Sequence, residues 1–292
     1  MNEMVEIVKI TDFIKSLESE LQCKIPYEEL KKLSEEAYGK FEKFMFEHGL
    51  LLYLLVLKYR PTNILEVGTG GGYSSLFMMR AMNDFKISGK ICSIDRYSIN
   101  QPYKKIVKKN GNELSEITTV KKNWSKYGPK NWEDIIETRS GYSSEVLAQT
   151  DLPKFDMVFI DGGHDYDTVK HDFYSSIKLV SENFIILFDD YISRPFYGVK
   201  KFVDEEINPF FNSKIIETDV LKIDSNDTQM HARCLIESKD LKKSIREIFP
   251  EENIKKTIGN YRKQQKIVNK YRKILNRIPL LKNRKIKFWK AN

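Results

Sequence analysis

The chain has 292 residues, 41% of them hydrophobic, which is enough to bury a sizeable core and excludes a chain that is disordered as a whole. Its formal charge of +8 is unevenly placed: residues 253–292 hold 14 Lys and Arg and no acid, leaving 35 basic against 41 acidic residues elsewhere, so an acidic body carries a basic tail. Cys23, Cys92 and Cys234 are far apart and form no CxxC pair, which speaks against a thiolate zinc site or a disulfide framework and for a reducing cytoplasm.

The start, MNEMVEIVKI, has acids where a signal peptide needs a basic segment, and the longest apolar run, LLLYLLVL at 50–57, is too short to span a bilayer. A soluble, cytoplasmic protein is expected. Residues 4–21 and 27–59 place apolar side chains at helical spacing (Ile7, Ile10, Phe13, Ile14, Leu17, Leu21), with Pro26 between the segments and Pro61 closing the second. This predicts a helical N-terminal part over 1–60.

From there, short runs rich in Ile and Val alternate with helical stretches: NILEVG (63–68), KICSID (90–95), DIIETRS (134–140), FDMVFID (155–161) and FIILFDD (184–190). Strands with little polar alternation, separated by helices, predict a parallel sheet covered on both faces. SKIIETDVLKI (213–223) and HARCLIES (231–238) are joined by a segment too short for a helical crossover and are expected as an antiparallel edge pair. Residues 96–133 are expected to hold a helix and an irregular insertion. Residues 61–240 would form the central α/β domain, and 241–292 a basic helical tail.

Ligands of open parallel sheets gather at the carboxyl ends of the strands. The first such end reads ILEVGTGGGYSS: a strand enters Gly68, Gly70, Gly71 and Gly72 and leaves into a helix near Tyr73. A G-x-G-x-x-G dinucleotide fingerprint would need a further glycine where Tyr73 or Ser75 stands. The pattern that fits is E-x-G-x-G-x-G from Glu66, and here the sequence resembles the class I S-adenosylmethionine-dependent methyltransferases, whose sheet is Rossmann-like and seven-stranded with one antiparallel edge pair. The resemblance implies S-adenosylmethionine as cofactor, with Glu66, Gly68, Gly70, Gly72, Tyr73 and Ser74 beside its amino-acid part. It also implies Asp95 on the ribose hydroxyls, Ser143 of SGYSSEVL at the adenine, and Asp161 bordering the cofactor.

In the strand order implied by that family, Asp161 ends the fourth strand and Asp189 and Asp190 the fifth, so three carboxylates would meet at one rim. Unpaired, they would repel and resist desolvation; a hard divalent cation, Mg²⁺ with Mn²⁺ or Ca²⁺ as alternatives, would relieve this. The segment DGGHDYDTVKHD resembles the D-G-x-H-x-Y-x-x-V-x-x-D signature of metal-dependent O-methyltransferases of the branch acting on sugars and natural products, with Asp161, Gly162, His164, Tyr166, Val169 and Asp172 in register. Catechol-type relatives carry a catalytic lysine where His164 stands. The resemblance makes His164 the candidate base and Asp161, Asp189 and Asp190 the candidate metal ligands. An imidazole, with its ordinary pKa of roughly 6.5, suits the task.

Arg194, Phe196 and Tyr197, in the segment after Asp190, are available to wall an acceptor pocket, while His48, His171 and His231 are expected in structural roles. The tail carries apolar residues at helical spacing from Ile254 to Ile278 and then LLKNRKIKFWKAN, which suits packing on its own or a neighbouring acidic body, or an anionic membrane. No base-reading module accompanies the lysines, so no specific nucleic acid is expected. The expected function is transfer of a methyl group to a hydroxyl of a saccharide or similar small metabolite. Two alternatives stay open: a metal-independent methyltransferase acting on nitrogen or a macromolecule, and a non-catalytic cofactor-binding module.

Overall fold

A computed structural model describes residues 5–38, 43–109, 112–149, 151–224, 227–241 and 243–275. The chain opens with a strand, β1 (Glu6–Lys9), followed by helices α1 (Ile10–Leu21), α2 (Tyr27–Tyr38) and α3 (Lys43–Tyr59). Strand β2 (Asn63–Val67), helix α4 (Tyr73–Asp84) and strand β3 (Lys90–Asp95) form the first parallel crossover. Then come β4 (Tyr103–Lys109), β5 (Asn112–Thr118), α5 (Val120–Tyr127), α6 (Trp132–Ile135), β6 (Ile136–Ser140), α7 (Ser143–Val146), β7 (Phe155–Ile160), α8 (Tyr166–Ile177), β8 (Val180–Phe188) and α9 (Val199–Phe202). A wider π turn over Val203–Ile207 leads to β9 (Lys214–Asp224), β10 (Asp227–Glu237), α10 (Ile245–Ile248) and α11 (Glu251–Leu275).

The main sheet has eight strands in the order β1-β9-β10-β8-β7-β2-β3-β6. Its centre, β8-β7-β2-β3-β6, is parallel, and β10 runs antiparallel to both β8 and β9. Seven of these strands and the antiparallel pair match expectation. The eighth corrects it: residues 6–9, read as the head of a helix, pair in parallel with β9 from Glu6 opposite Lys214 to Lys9 opposite Glu217. An unpaired β9 would present a row of open backbone donors and acceptors, and EIVK covers it, with Lys9–Glu217 (2.8 Å) and Lys214–Glu6 (3.1 Å) ion pairs across the register. Ile7 is consequently 62% exposed instead of facing the core.

The insertion is also more regular than expected. β4 and β5 form a separate antiparallel ribbon, from Tyr103 opposite Thr118 to Lys109 opposite Asn112, on either side of Asn110-Gly111, a dipeptide suited to a two-residue hairpin turn.

Strand alternation divides the interior in two. Ile185 and Leu187 of β8, with Met157 and Phe159 of β7, face a core shared with α1, α3 and α4, in which all of Leu50–Leu57 is buried. Ile186 and Phe188, with Val158 and Ile160, face the core under α8, α9 and α11. The apolar run in α3 is therefore an all-round buried core helix. Among the described residues no helix is long and apolar enough to cross a membrane. The basic helix α11 lies on α8 by Ile254, Ile258 and Tyr261, whose ring stacks on His171 at 4.3 Å. The tail residues 276–292 lie outside the described set.

Candidate functional site

The loop between β2 and α4 is shaped by backbone constraints. Gly68 has φ +105, and a Cβ there would lie 2.0 Å from the Asp161 carbonyl oxygen, so the tips of β2 and β7 touch through it. Gly70 (φ +51) has nothing within 4 Å of its would-be Cβ and opens onto a cleft. Gly72 (φ +79) precedes α4, and its carbonyl accepts from Trp124 Nε1 at 2.9 Å. Glycine is required here because side chains seldom tolerate positive φ and the backbone must stay bare toward a ligand.

Asp95, at the tip of β3, accepts from the Gly70 N–H (2.8 Å) and the Tyr97 N–H (2.8 Å), which fixes both carboxylate oxygens while leaving each a lone pair for a diol. Beside it lies a cleft of about 490 Å³ bordered by Thr69, Gly70, Asp95, Tyr97 and Tyr103. The other expected cofactor residues are committed inside the protein. Glu66 is fully buried and accepts from Ser75 Oγ at 2.5 Å and from Ser93 Oγ; burial pushes its carboxyl up to about 7 against those hydrogen bonds. The Tyr73 hydroxyl donates to the Met45 carbonyl at 2.9 Å, and Ser74 Oγ meets His48 Nε2 at 3.0 Å. Ser143 donates to Asp172 at 2.5 Å, so the side chain expected at the adenine is anchored to α8. Asp172, 1% exposed, in turn lies where a Cβ on Gly162 would meet it at 2.8 Å, which sets the path of the β7–α8 loop.

The acidic rim is assembled from the ends of β7 and β8, with the middle of β10 beside them. Asp161 follows β7, and burial together with Asp189 and Asp190 pushes its carboxyl well above the usual carboxylate range. Asp190 turns out of β8 at φ +56 and is bracketed by two imidazoles: His164 Nδ1 lies 2.8 Å from Oδ2, and His231 Nε2 donates to Oδ1 at 2.6 Å. Burial opposes its charge, but these hydrogen bonds win and hold Asp190 well below the usual range. The same contact raises the His164 pKa, with burial working partly against it. The His164 ring stacks flat on Tyr197 (4.9 Å, 3°), and its carbonyl accepts from the Gly198 N–H at 2.7 Å, so the segment after β8 does sit against the candidate base.

Asp189 faces the other way, toward the α3 side, and its Oδ1 lies 2.9 Å from Nε of Arg233 on β10. The single Nε–H of Arg233 donates to His48 Nδ1 at 2.8 Å, so the contact with Asp189 is Coulombic. Burial opposes the Asp189 charge, yet Arg233 and the histidines keep it below the ordinary range. Burial, reinforced by Arg233, drives the His48 pKa down to about 3, leaving a neutral ring whose proton sits on Nε2, toward Ser74.

Oxygens of Asp161 and Asp190 and a nitrogen of His164 lie within 4.8 Å of one another, as do ligand atoms of Asp189, Asp190 and His231. The three expected carboxylates do not form one group of their own among the described residues. Three members of the site went unrecognised in the sequence: Arg233, and His231 and His48, which were expected in structural roles. The signal was in HARC, where polar residues 231 and 233 alternate with Ala232 and Cys234 just ahead of the apolar Leu235 and Ile236.

Residues 65–191 match a protein family described as a methyltransferase domain, a span that includes the glycine loop, Asp95, Asp161, His164, Asp189 and Asp190. No curated protein matches the chain. Among solved structures, an O-methyltransferase from Bacillus cereus in complex with SAH is similar at 18% identity and TM-score 0.49, covering 81% of this chain and 99% of that one. The O-methyltransferase TomG from Streptomyces achromogenes, involved in tomaymycin synthesis and in complex with SAM, follows at 17% identity and TM-score 0.47, covering 77% and 96%. The MycE methyltransferase of the mycinamycin biosynthetic pathway, in complex with Mg, SAH and mycinamycin VI, has 21% identity and TM-score 0.37, covering 56% of this chain and 39% of that one.

Proposed function

We propose that this chain, whose residues 65–191 carry a methyltransferase domain, moves the methyl group of S-adenosylmethionine to a hydroxyl oxygen of a saccharide or similar small metabolite. The observation that carries this reading is the position of the His164–Asp190 pair on the strand ends next to the glycine loop, whose Gly68 touches Asp161. The donor set fits the cofactor: Asp95 is oriented for a ribose diol, Gly70 leaves its backbone open, and the cleft beside them has about 490 Å³. Bound there, the cofactor supplies an electrophilic methyl on sulfur.

This chain's residues have two tasks, to hold the acceptor oxygen in line with that methyl and to take its proton. His164 Nδ1 donates to Asp190, so Nε2 presents a lone pair to the hydroxyl, and Asp190 stabilises the imidazolium that results. The acceptor oxygen would take the methyl that the cofactor supplies, and its proton would rest on His164 Nε2. Tyr197 offers an aromatic ring beside Arg194, Lys200, Asp204 and Glu205 in a cleft of about 300 Å³, a composition suited to a sugar ring with polar substituents.

A divalent cation is part of the reading. The Asp161 and Asp190 oxygens fit it, with His164 close enough to be a third donor, and Asp189 is engaged with Arg233. A bound cation would act as a Lewis acid that lowers the hydroxyl pKa. A ring nitrogen cannot both ligate and accept a proton, so His164 keeps its role as base when the cation rests on the two carboxylates.

Calorimetric titration with S-adenosylhomocysteine, combined with transfer of labelled methyl to a panel of saccharides, tests the proposal. Asp95→Ala is expected to weaken binding roughly tenfold or more, as for loss of a charge-assisted pair. His164→Ala is expected to leave binding within about threefold while lowering turnover on the order of 10²-fold or more. Full turnover by His164→Ala would remove the histidine from the chemistry. A wild-type chain that does not bind the homocysteine product would remove the methyltransferase reading.

A further inference from the structure

We propose that Arg233 is a positioning residue that holds Asp189 out of the cation site, so that a divalent ion is bound by Asp161 and Asp190 rather than by Asp161, Asp189 and Asp190 together. This inference rests on the cation reading above and specifies its ligands. Arg233 is 1% exposed, and a guanidinium does not shed its proton, so a permanent positive charge is built into the floor of the acidic rim. Such a charge is tolerated only when a carboxylate compensates it, and Asp189 Oδ1, at 2.9 Å, is that carboxylate.

The guanidinium is held from its other side as well. Its Nε–H is spent on His48, and His48 is 4% exposed on α3 and tied to Ser74 at the start of α4. To release Asp189, Arg233 would have to leave both contacts in a packed interior. Among the described residues Arg233 Nη1 donates no hydrogen bond and Asp189 Oδ1 accepts none, so what ties the pair is the attraction of opposite charges in the interior.

The two neighbouring aspartates therefore serve different partners. Asp189 continues the alternation of Ile185 and Leu187 toward the α3 side, whereas Asp190, turned by its positive φ, faces His164 and His231. The group Asp161, His164 and Asp190 excludes Asp189. In the second group, Asp189, Asp190 and His231, a cation sharing Asp189 would sit against the guanidinium, and like charges in a low-dielectric interior repel strongly.

The test is calorimetric titration of the full-length chain with MnCl₂, using wild type, Asp161→Asn, Asp189→Asn and Arg233→Met, each first shown to be folded by circular dichroism. Asp161→Asn is expected to weaken Mn²⁺ binding roughly tenfold or more, Asp189→Asn to change it less than about threefold, and Arg233→Met to tighten it about tenfold by freeing Asp189. Binding gained only in Arg233→Met overturns the proposal, because Asp161 and Asp190 would then hold no ion by themselves. Should Arg233→Met fail to fold, the comparison of Asp161→Asn with Asp189→Asn decides. Equal losses in those two variants overturn the proposal and leave the cation reading standing. Absence of Mn²⁺ binding in wild type and in folded Arg233→Met alike removes the cation reading, and this proposal with it.

Discussion

Glu66 is fully buried at the end of β2, with one oxygen held by Ser75 and Ser93 and the other, Oε1, without a hydrogen-bond donor among the described residues. Burial raises its carboxyl from the model-peptide value to about 7, so between roughly pH 4.5 and 7 the folded protein keeps a proton that the unfolded chain has already released. Stability from this group is therefore fully present below about pH 4.5 and is lost as pH rises through 7, by an amount on the order of 3 kcal/mol. Glu66→Gln removes that slope. Urea unfolding at pH 5 and pH 8 should show wild type losing more stability across the interval than the variant; parallel losses would mean that the carboxylate is accommodated in its ionised form. The E-x-G-x-G-x-G pattern pointed to Glu66, but its role in bracing β2 against β3 and α4 depends on Ser75 and Ser93, which the pattern did not mark.

Within the glycine loop, two neighbouring glycines should fail in different ways. A Cβ on Gly68 would meet the Asp161 backbone, which cannot yield without separating β2 from β7, so Gly68→Ala is expected to cost about 2–4 kcal/mol and a clear drop in melting temperature. Gly70 is open around its would-be Cβ, so Gly70→Ala should cost only about 1–2 kcal/mol for its positive φ, yet put a methyl group into the cleft and weaken S-adenosylhomocysteine binding roughly tenfold. Comparable loss of melting temperature in both variants would show that the loop is not in this conformation. The loop was legible because glycine is the residue that such backbone geometry demands. Strand β1 was not: Ile7, Ile10 and Ile14 satisfy a helical period, and what overrides it for residues 6–9 is the open edge of β9, more than 200 residues away in sequence. The β4–β5 ribbon was legible in principle, since Asn110-Gly111 stands between two runs of strand-like composition.

At the scale of the molecule, α11 is part of the body for at least its first turns, through Ile254, Ile258, Tyr261 and the Arg262 donation to the Ser144 carbonyl. A test of membrane contact should therefore remove only residues after 275, which carry six of the tail's 14 basic residues together with Phe288 and Trp289. Membrane contact through these residues, the alternative to packing on an acidic body, predicts that the full-length chain floats with anionic liposomes and that a chain ending at residue 275 floats markedly less, at similar melting temperature. Equal flotation of the two would exclude residues 276–292 as the anchor. The sequence by itself determined the alternation of strands and helices, the glycine turn and the carboxylates at strand ends, because periodicity, backbone freedom and strand polarity are local properties. Which charges neutralise which was decided only by the tertiary structure. Strand order sets β10 between β8 and β9, and α3 packs beneath it, so Arg233, His231 and His48 reach Asp189 and Asp190 across sequence distances that no local pattern encodes.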